Sequence, residues 1–598
     1  MLNAERYLLL LNRFQIEEPD TEAETALDEL AELFHCTERN VKLIVRKLEE
    51  EGWIRWIPGK GRGNLSKISF LKSRERFLLD IAKELASDGD YQKAFQLLQI
   101  HGEHTSVRDR FVEWLSGHFG SDRIEEGSPA QRDVFRLPVY RPPYSLDPGK
   151  LFFAFDSHLI HQIFDRLLGF EADTKSLVPG LAHYWESNDS ATAWTFHLRK
   201  GVRFHHGREL NASDVCFTLS RLADGQPNRF LMESVEAITA LDSRTVRISL
   251  NKPNRLLPRL LCSGAASILP ADLVQEDESR YWTLPSGTGP FRVDCWTSDR
   301  IDLSVHELYY QGRAYLDEVQ IAFMPEDIPP ELRLKWGQIM ASDSRMASKD
   351  EQGWGMIRTV HQGCTLLSWN RLNGGPQQSL AFRQAVGLSM DRVGMIGAGG
   401  ELSYPAYGFF PVPGAELAAE RYEPDTAIRM LQEDGYDGAP IKLLTTNQHA
   451  KEALWIKDRC GELGIPVDIR CEPHKIVHTS DIVKEADCIL MSLVMAEEEV
   501  GELETYLQEH SYIRQHLDPA LERWIRRVTD AILASDRRET RRTLFNQIEQ
   551  RLIQEGQVLF LQHRSLNTYV HPSVRGIGIN TFGWMDFKDI WLVSDNPV

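Results

Sequence analysis

The chain has 598 residues, 42% of them hydrophobic and 26% charged, which excludes a disordered or fibrous protein and exceeds what one ordinary core can absorb. A net charge of −19 excludes a protein that coats nucleic acid over its whole surface. Locally the balance reverses, because residues 36–72 hold nine Lys or Arg against four Glu.

The first twenty residues have only a short apolar run, no basic stretch ahead of it, and acidic residues where a cleavage site would lie, so they do not read as a secretory signal. No stretch approaches the roughly 18 apolar residues of a membrane-spanning helix. A cytoplasmic protein with no membrane insertion is expected. The eight cysteines form no CxxC pair, and neither disulfides nor a zinc knuckle is expected.

Leu27, Leu30, Ala31 and Phe34 fall at i, i+3, i+4 and i+7 and predict a first core helix. Thr37 then caps a second helix, whose Val41, Ile44, Val45 and Leu48 repeat the stripe, and Gly52 ends it. Residues 53–57 and 67–70 are rich in strand formers and flank a flexible basic loop, Pro58 to Asn64. Helix, turn, helix and hairpin in this order predict a winged helix over residues 1–70.

Residues 71–118 carry helical patterns that predict a connector able to support a homodimer, and the polar stretch 120–131 reads as a linker, closing a connecting region at 130. Beyond it, alternating residues in Trp194–Arg199, the turn Lys200-Gly201, and a capped helix from Asn211 begin a long alternation of strands and helices. That alternation predicts an α/β fold of more than one lobe.

Several segments of this region resemble one family. Leu177–Ala182, Trp185, residues 194–210 (WTFHLRKGVRFHHGREL) and Ser213-Asp214-Val215 resemble the signature of the oligopeptide and dipeptide class of ABC-transporter solute-binding proteins. Ser145–Pro148, Gly287–Phe291, Ala381–Val386 with Met390–Arg392, and Glu423-Pro424 with Gly435-Tyr436 extend the likeness over roughly residues 133–598. A winged helix ahead of such a domain resembles the SgrR family of bacterial regulators. The resemblance implies a two-lobed periplasmic-binding-protein-like domain (type II, class C) over 131–598, preceded by an α+β winged helix-turn-helix. Lobe one is expected over 131–368 and 561–598, and lobe two over 369–560. It further implies a cytoplasmic regulator responding to sugar-phosphate stress. One departure is that Asp487–Met491, running into Glu497–Glu499, stands where peptide binders carry an aspartate-rich segment, which counts against an oligopeptide ligand.

On the second helix Arg39, Asn40, Lys42, Arg46 and Lys47 lie away from the apolar stripe, where they can reach base edges or phosphates of double-stranded DNA; Thr37 stands at its start. A solvated helix face is the plain alternative, and Lys60 and Arg62 in the wing loop tip the balance toward DNA. GKGRG lacks the spacing of a phosphate-binding loop, and the histidine pairs 101/104, 158/161 and 205/206 lack a third ligand. No nucleophile elbow, HExxH motif or paired carboxylates are apparent, so no catalysis, metal or cofactor is expected.

For a small-molecule ligand, the resemblance places Arg141, Tyr144, Trp369, Asn370 and Arg371 near the cleft between the lobes. The two arginines are then expected to hold a phosphate or carboxylate, and the two aromatics to face a sugar. The principal rival is a transporter-associated oligopeptide or solute receptor with an N-terminal extension and no regulatory role.

Overall fold

In the computed structural model, residues 2–59, 65–102, 106–124, 132–139, 142–171, 174–325, 340–341, 355–360, 363–399, 403–411, 422–479, 481–495, 498–570, 573–579 and 584–593 are described. The chain begins with α1 (Leu2–Phe14), β1 (Thr21–Thr25), α2 (Leu27–Leu33), α3 (Glu38–Glu50), β2 (Ile54–Ile57) and β3 (Ser66–Phe70). The three strands form an antiparallel sheet in the order β1-β3-β2. α1 and β1 escape the sequence reading for physical reasons. In α1 the run Leu8–Leu11 hides the stripe of Ala4, Tyr7, Leu8 and Leu11, and β1 is TEAET, with no large apolar side chain. Elsewhere the local signals hold. Thr37 Oγ1 accepts from the Asn40 amide at 3.4 Å, the four stripe residues of α3 are buried, and Gly52 has φ +70°.

Three helices follow, α4 (Arg74–Ser87), α5 (Tyr91–His101) and α6 (Val107–His118). The boundary expected at residue 70 does not separate two cores. Phe77 of α4 meets Tyr7 edge-on at 4.5 Å and Trp53 at 4.8 Å, and one apolar cluster runs from Ala4 to Phe119. The apolar faces of the expected connector are therefore spent inside the chain. The expected linker also begins as a strand: β4 (Gly120–Ile124) pairs antiparallel with β5 (Arg132–Val139), while 125–131 lie outside the described residues.

β5 lies in a five-stranded sheet with strands Glu318–Phe323, Arg300–Val305 and Phe291–Trp296, so β4 edges the same sheet that builds lobe one. A second joint reinforces it. The Gln92 amide donates to Asp299 Oδ1 at 3.3 Å, Gln92 Nε2 to the Phe323 carbonyl at 3.2 Å, and Arg300 Nη1 to the Asp88 carbonyl at 2.8 Å. Ala322 and Met324 complete the N-terminal core. The N-terminal unit thus sits on lobe one through a shared sheet and a hydrogen-bonded turn.

A four-stranded sheet ordered 235–242, 245–250, 193–198, 182–187 belongs to the same half of the domain. The capping box anticipated at Asn211 is present: its Oδ1 accepts from the Ser213 amide at 2.8 Å, and Asp214 Oδ2 accepts the Asn211 amide at 3.0 Å. The other lobe is centred on strand Gly363–Trp369, antiparallel to Cys488–Val494 and to the long strand Val558–Val570; Ile441–Thr445 runs parallel to Cys488–Val494 and to Val467–Cys471. Val570, Val574, Met585, Phe587 and Ile590 then rejoin the lobe-one core.

The GTGPF turn has a positional duty. α7 (Ala154–Ile163) ends against it, and a Cβ on Gly287 or Gly289 would lie 2.0 or 2.5 Å from the Ile163 backbone. Only glycine permits that approach. It fixes the helix that carries Ser157 and His161 to the wall of the cleft.

Candidate functional site

Two regions among the described residues are candidates for binding. The first is α3. Arg39, Asn40, Lys42, Arg46 and Lys47 are all exposed, on the side opposite Val41, Ile44, Val45 and Leu48. Arg46 Nε contacts Glu50 Oε1 at 2.8 Å, with both side chains more than half exposed, a pair worth only about 0.3–0.5 kcal/mol and readily exchanged for a phosphate. Thr37 spends its hydroxyl oxygen on capping the helix, so its first duty is structural. Lys60 and Arg62 lie outside the described residues. The sequence reading passed over Arg55, exposed on β2, and Leu43, exposed on α3.

The second region is a cavity of about 570 Å³ between the two lobes, within the range of small-molecule sites. α7 and the segment after it supply Ser157, His161 and Arg166, and Arg259 to Gly264 complete the lobe-one wall. The opposite wall comes from Thr445 to His449, Ile489 to Val494, and the helix Glu498–Leu507. Phe152, Phe153, Phe170, Tyr512 and Trp584 give it aromatic surface.

Its electrostatics differ from those of the chain as a whole. The described wall carries two arginines and one carboxyl group, Glu504. Arg166 is buried at Nε and Nη1, neither of which has a hydrogen-bond partner. Arg259 lies over the Phe170 ring at 4.2 Å and is ion-paired with Glu499, whose carboxylate also holds Arg541 at 2.7 Å. Burial pushes the Cys262 thiol up to about 12 even though the guanidinium groups of Arg166 and Arg259 both pull it down. Burial pushes Glu504 up to about 7, with Ser263 Oγ donating to it at 3.4 Å. Burial likewise drives His449 down to about 3 and His161 well below the usual histidine range, which keeps both neutral. Ser157 Oγ from one lobe and Thr446 Oγ1 and His449 Nδ1 from the other are buried without a hydrogen-bond partner. Such groups are costly unless water or a polar ligand meets them.

The described residues among those expected at the cleft are placed elsewhere. Trp369 is fully buried in lobe two, edge-on to Phe382 at 5.9 Å. Asn370 is also fully buried, donating through Nδ2 to the Lys484 and Ala486 carbonyls at 3.0 and 2.9 Å. Arg371 is held by Glu555 at 2.6 Å and Asp518 at 2.9 Å. These three are structural because the crossing strand threads the core of lobe two and does not run along the cleft. Tyr144 comes nearest, with its ring edge-on to Phe153 and its amide bound to Asp156, yet it does not line the cavity. Arg141 lies outside the described residues. Asp487 is likewise structural, accepting from the Lys442 amide at 2.8 Å and from Gln377 Nε2 at 3.2 Å. Among the described residues no group of three or more His, Cys, Asp or Glu is placed to hold a metal, and no helix is long and apolar enough to cross a membrane.

Comparison with known proteins identifies two families along the chain. Residues 3–121 match the family described as sugar transport-related sRNA regulator N-term, and residues 176–494 match the middle region of the bacterial extracellular solute-binding proteins, family 5. The uncharacterised protein YhjP of Bacillus subtilis is 32% identical over 95% of this chain and 96% of its own length. The HTH-type transcriptional regulator SgrR of Yersinia enterocolitica is 28% identical over 95% of each. In fold, the chain is similar to the Escherichia coli murein tripeptide binding protein MppA, with a TM-score of 0.67 at 20% identity over 78% of this chain and 99% of that one. The chain belongs to the SgrR family, in which this N-terminal domain is joined to a family 5 solute-binding domain.

Proposed function

We propose that this protein is a cytoplasmic transcriptional regulator that binds double-stranded DNA through α3 and the wing and senses a sugar phosphate in the interlobe cavity. The observation that carries the ligand is the charge of the wall. In a chain of net charge −19, the described wall has two arginines, of which Arg259 is paired with Glu499, against one carboxyl group that burial holds protonated up to about 7. Arg166 is the group we assign to the phosphate, since its buried N–H groups have no partner and a guanidinium meets phosphate oxygens with paired hydrogen bonds. Ser157, Thr446 and His449 are assigned to the sugar hydroxyls and the aromatic wall to its apolar face.

Ser157 belongs to one lobe and Thr446 and His449 to the other, so a ligand touching all three favours the closed form. Because the N-terminal unit is tied to lobe one, closure moves lobe two against a composite of lobe one and the DNA-binding unit. Two copies on two half-sites about one helical turn apart complete the reading, which sizing chromatography on DNA tests.

Calorimetric titration of the full chain with glucose 6-phosphate, glucose and trialanine tests the ligand. Binding of the phosphate ester, weak binding of glucose and none of the peptide is expected. Tight peptide binding without a response to the phosphate ester would overturn the ligand class.

A further inference from the structure

α3 advances about 100° per residue, so Arg39, Leu43, Arg46 and Glu50 share one line on its exposed side, flanked by Lys42 and Lys47. The residues buried against the core, Val41, Ile44, Val45 and Leu48, occupy the opposite side. Leu43 is therefore not an edge position of the apolar stripe. It sits near the middle of the polar face and is 55% exposed. An isolated leucine at the surface needs no explanation in general, but this one is ringed by four cationic side chains on a helix whose apolar needs are already met. Cations one turn to either side and on both flanks match a polyanion and disfavour an apolar protein groove as its partner. In the major groove the apolar feature of the base edges is the C5-methyl group of thymine.

We propose that Leu43 reads a thymine methyl group in the major groove and so fixes one base position of the DNA that the chain recognises. The inference rests on the reading of α3 as the helix that enters the groove. Arg39 and Arg46, one turn to either side, bind the neighbouring base edges or phosphates, and the leucine side chain covers the methyl group between them. Selectivity at that position comes from burying one methyl group and not from a hydrogen bond, so it discriminates thymine from uracil, which pair identically with adenine.

The test uses the full chain and the duplex recovered by sequencing the DNA bound to it in cells. Each dT is replaced singly by dU and affinity is followed by fluorescence anisotropy. For the native chain, one position per half-site is expected to lose about fourfold in affinity, the worth of one buried methyl group. Leu43→Ala is expected to bind dT and dU equally there, while keeping the native salt dependence, because its phosphate contacts are untouched. Binding with no dU-sensitive position, or a Leu43→Ala variant that retains the sensitivity, overturns the inference and leaves the DNA-binding reading standing. Failure to bind the recovered duplex at all overturns both. Leu43→Met, which keeps an apolar side chain of similar volume, should retain the preference for dT.

Discussion

α3 and the interlobe cavity both offer cations to an anion, but they do so in opposite media. On α3, Arg39, Lys42, Arg46 and Lys47 stand in water, where each contact is weak and screened. In the cavity, Arg166 has two buried N–H groups with no hydrogen-bond partner, in a wall with a large apolar share. One charge there does the work of several on the helix. The contrast teaches that the two binding events of one chain should answer to different physical variables.

Ionic strength separates them most strongly. If about four phosphates are contacted, raising salt from about 50 to about 200 mM lowers DNA affinity roughly a hundredfold. Binding of glucose 6-phosphate in the cavity is expected to change by less than about threefold over the same range, because buried pairs are little screened. Parallel anisotropy and calorimetry across a salt series check this. Equal salt slopes would break the comparison, since they would place the ligand's phosphate at the surface.

Arg166→Ala comes next. Removing a buried charge that meets an anion costs about 2–5 kcal/mol, so affinity for the phosphate ester should fall at least about thirtyfold, with DNA affinity in the absence of ligand unchanged. Arg166→Lys keeps the charge and loses the paired hydrogen bonds, and should fall between. Arg371→Ala should lower thermal stability and spare ligand binding, because Arg371 serves Glu555 and Asp518.

Arg46→Ala is a smaller change on the exposed side. A lost base-edge contact costs about 1–3 kcal/mol of specific DNA binding, and the fold should be untouched because the Arg46–Glu50 pair is solvated. Arg62→Ala, in the wing, should instead weaken binding to all sequences alike and flatten the salt slope by about one. Gel-shift titrations against specific and scrambled duplexes distinguish the two.

The two regions also differ in how much of them the sequence discloses. The surface proposed to face DNA arises within the thirteen residues of α3, so cap, stripe and polar face can all be read from spacing. The cavity collects its wall from segments as distant as Leu151 and Trp584, and no local period records which of their side chains converge. The resemblance put Trp369, Asn370 and Arg371 near the cleft, and the structure gives them packing, hydrogen bonds and ion pairs within lobe two. A usable signal did exist. Arg259 interrupts Leu256-Leu257-Pro258-Arg259-Leu260-Leu261 as a lone charge in an apolar run, and Arg166 stands beside Asp165 between Phe164 and Leu167-Leu168. A charge that the surrounding sequence carries into the interior requires a partner, and both arginines line the cavity. The boundary at residue 70 was illegible for a related reason, since the contact of Phe77 with Tyr7 and Trp53 spans distant positions.

The smallest expected effect concerns Glu504, which sharpens the comparison through pH. Its carboxyl is pushed from near 4.5 up to about 7 by burial in the cavity wall. Below that pH it is neutral and does not oppose an anionic ligand; above it, a negative charge appears in the same wall as Arg166. A phosphate ester is already largely dianionic above about pH 6, so its own titration is nearly complete in this range. His161 and His449 stay neutral throughout. Affinity for glucose 6-phosphate should therefore fall about fivefold between about pH 6.5 and about pH 8.5, the effect of about 1 kcal/mol of added repulsion. Glu504→Gln should abolish the fall, while glucose, being neutral, should show none in either protein. The same group makes a signed prediction for stability. The folded chain holds this proton more tightly than the unfolded one, so the contribution of Glu504 is fully present below about 4.5 and is lost as pH rises to about 7. Glu504→Gln should then match the native melting temperature near pH 4.5 and exceed it near pH 8. A native protein whose ligand affinity is flat across neutrality, or whose Glu504→Gln variant melts lower at pH 8, would show that this carboxyl is not held protonated in the cavity.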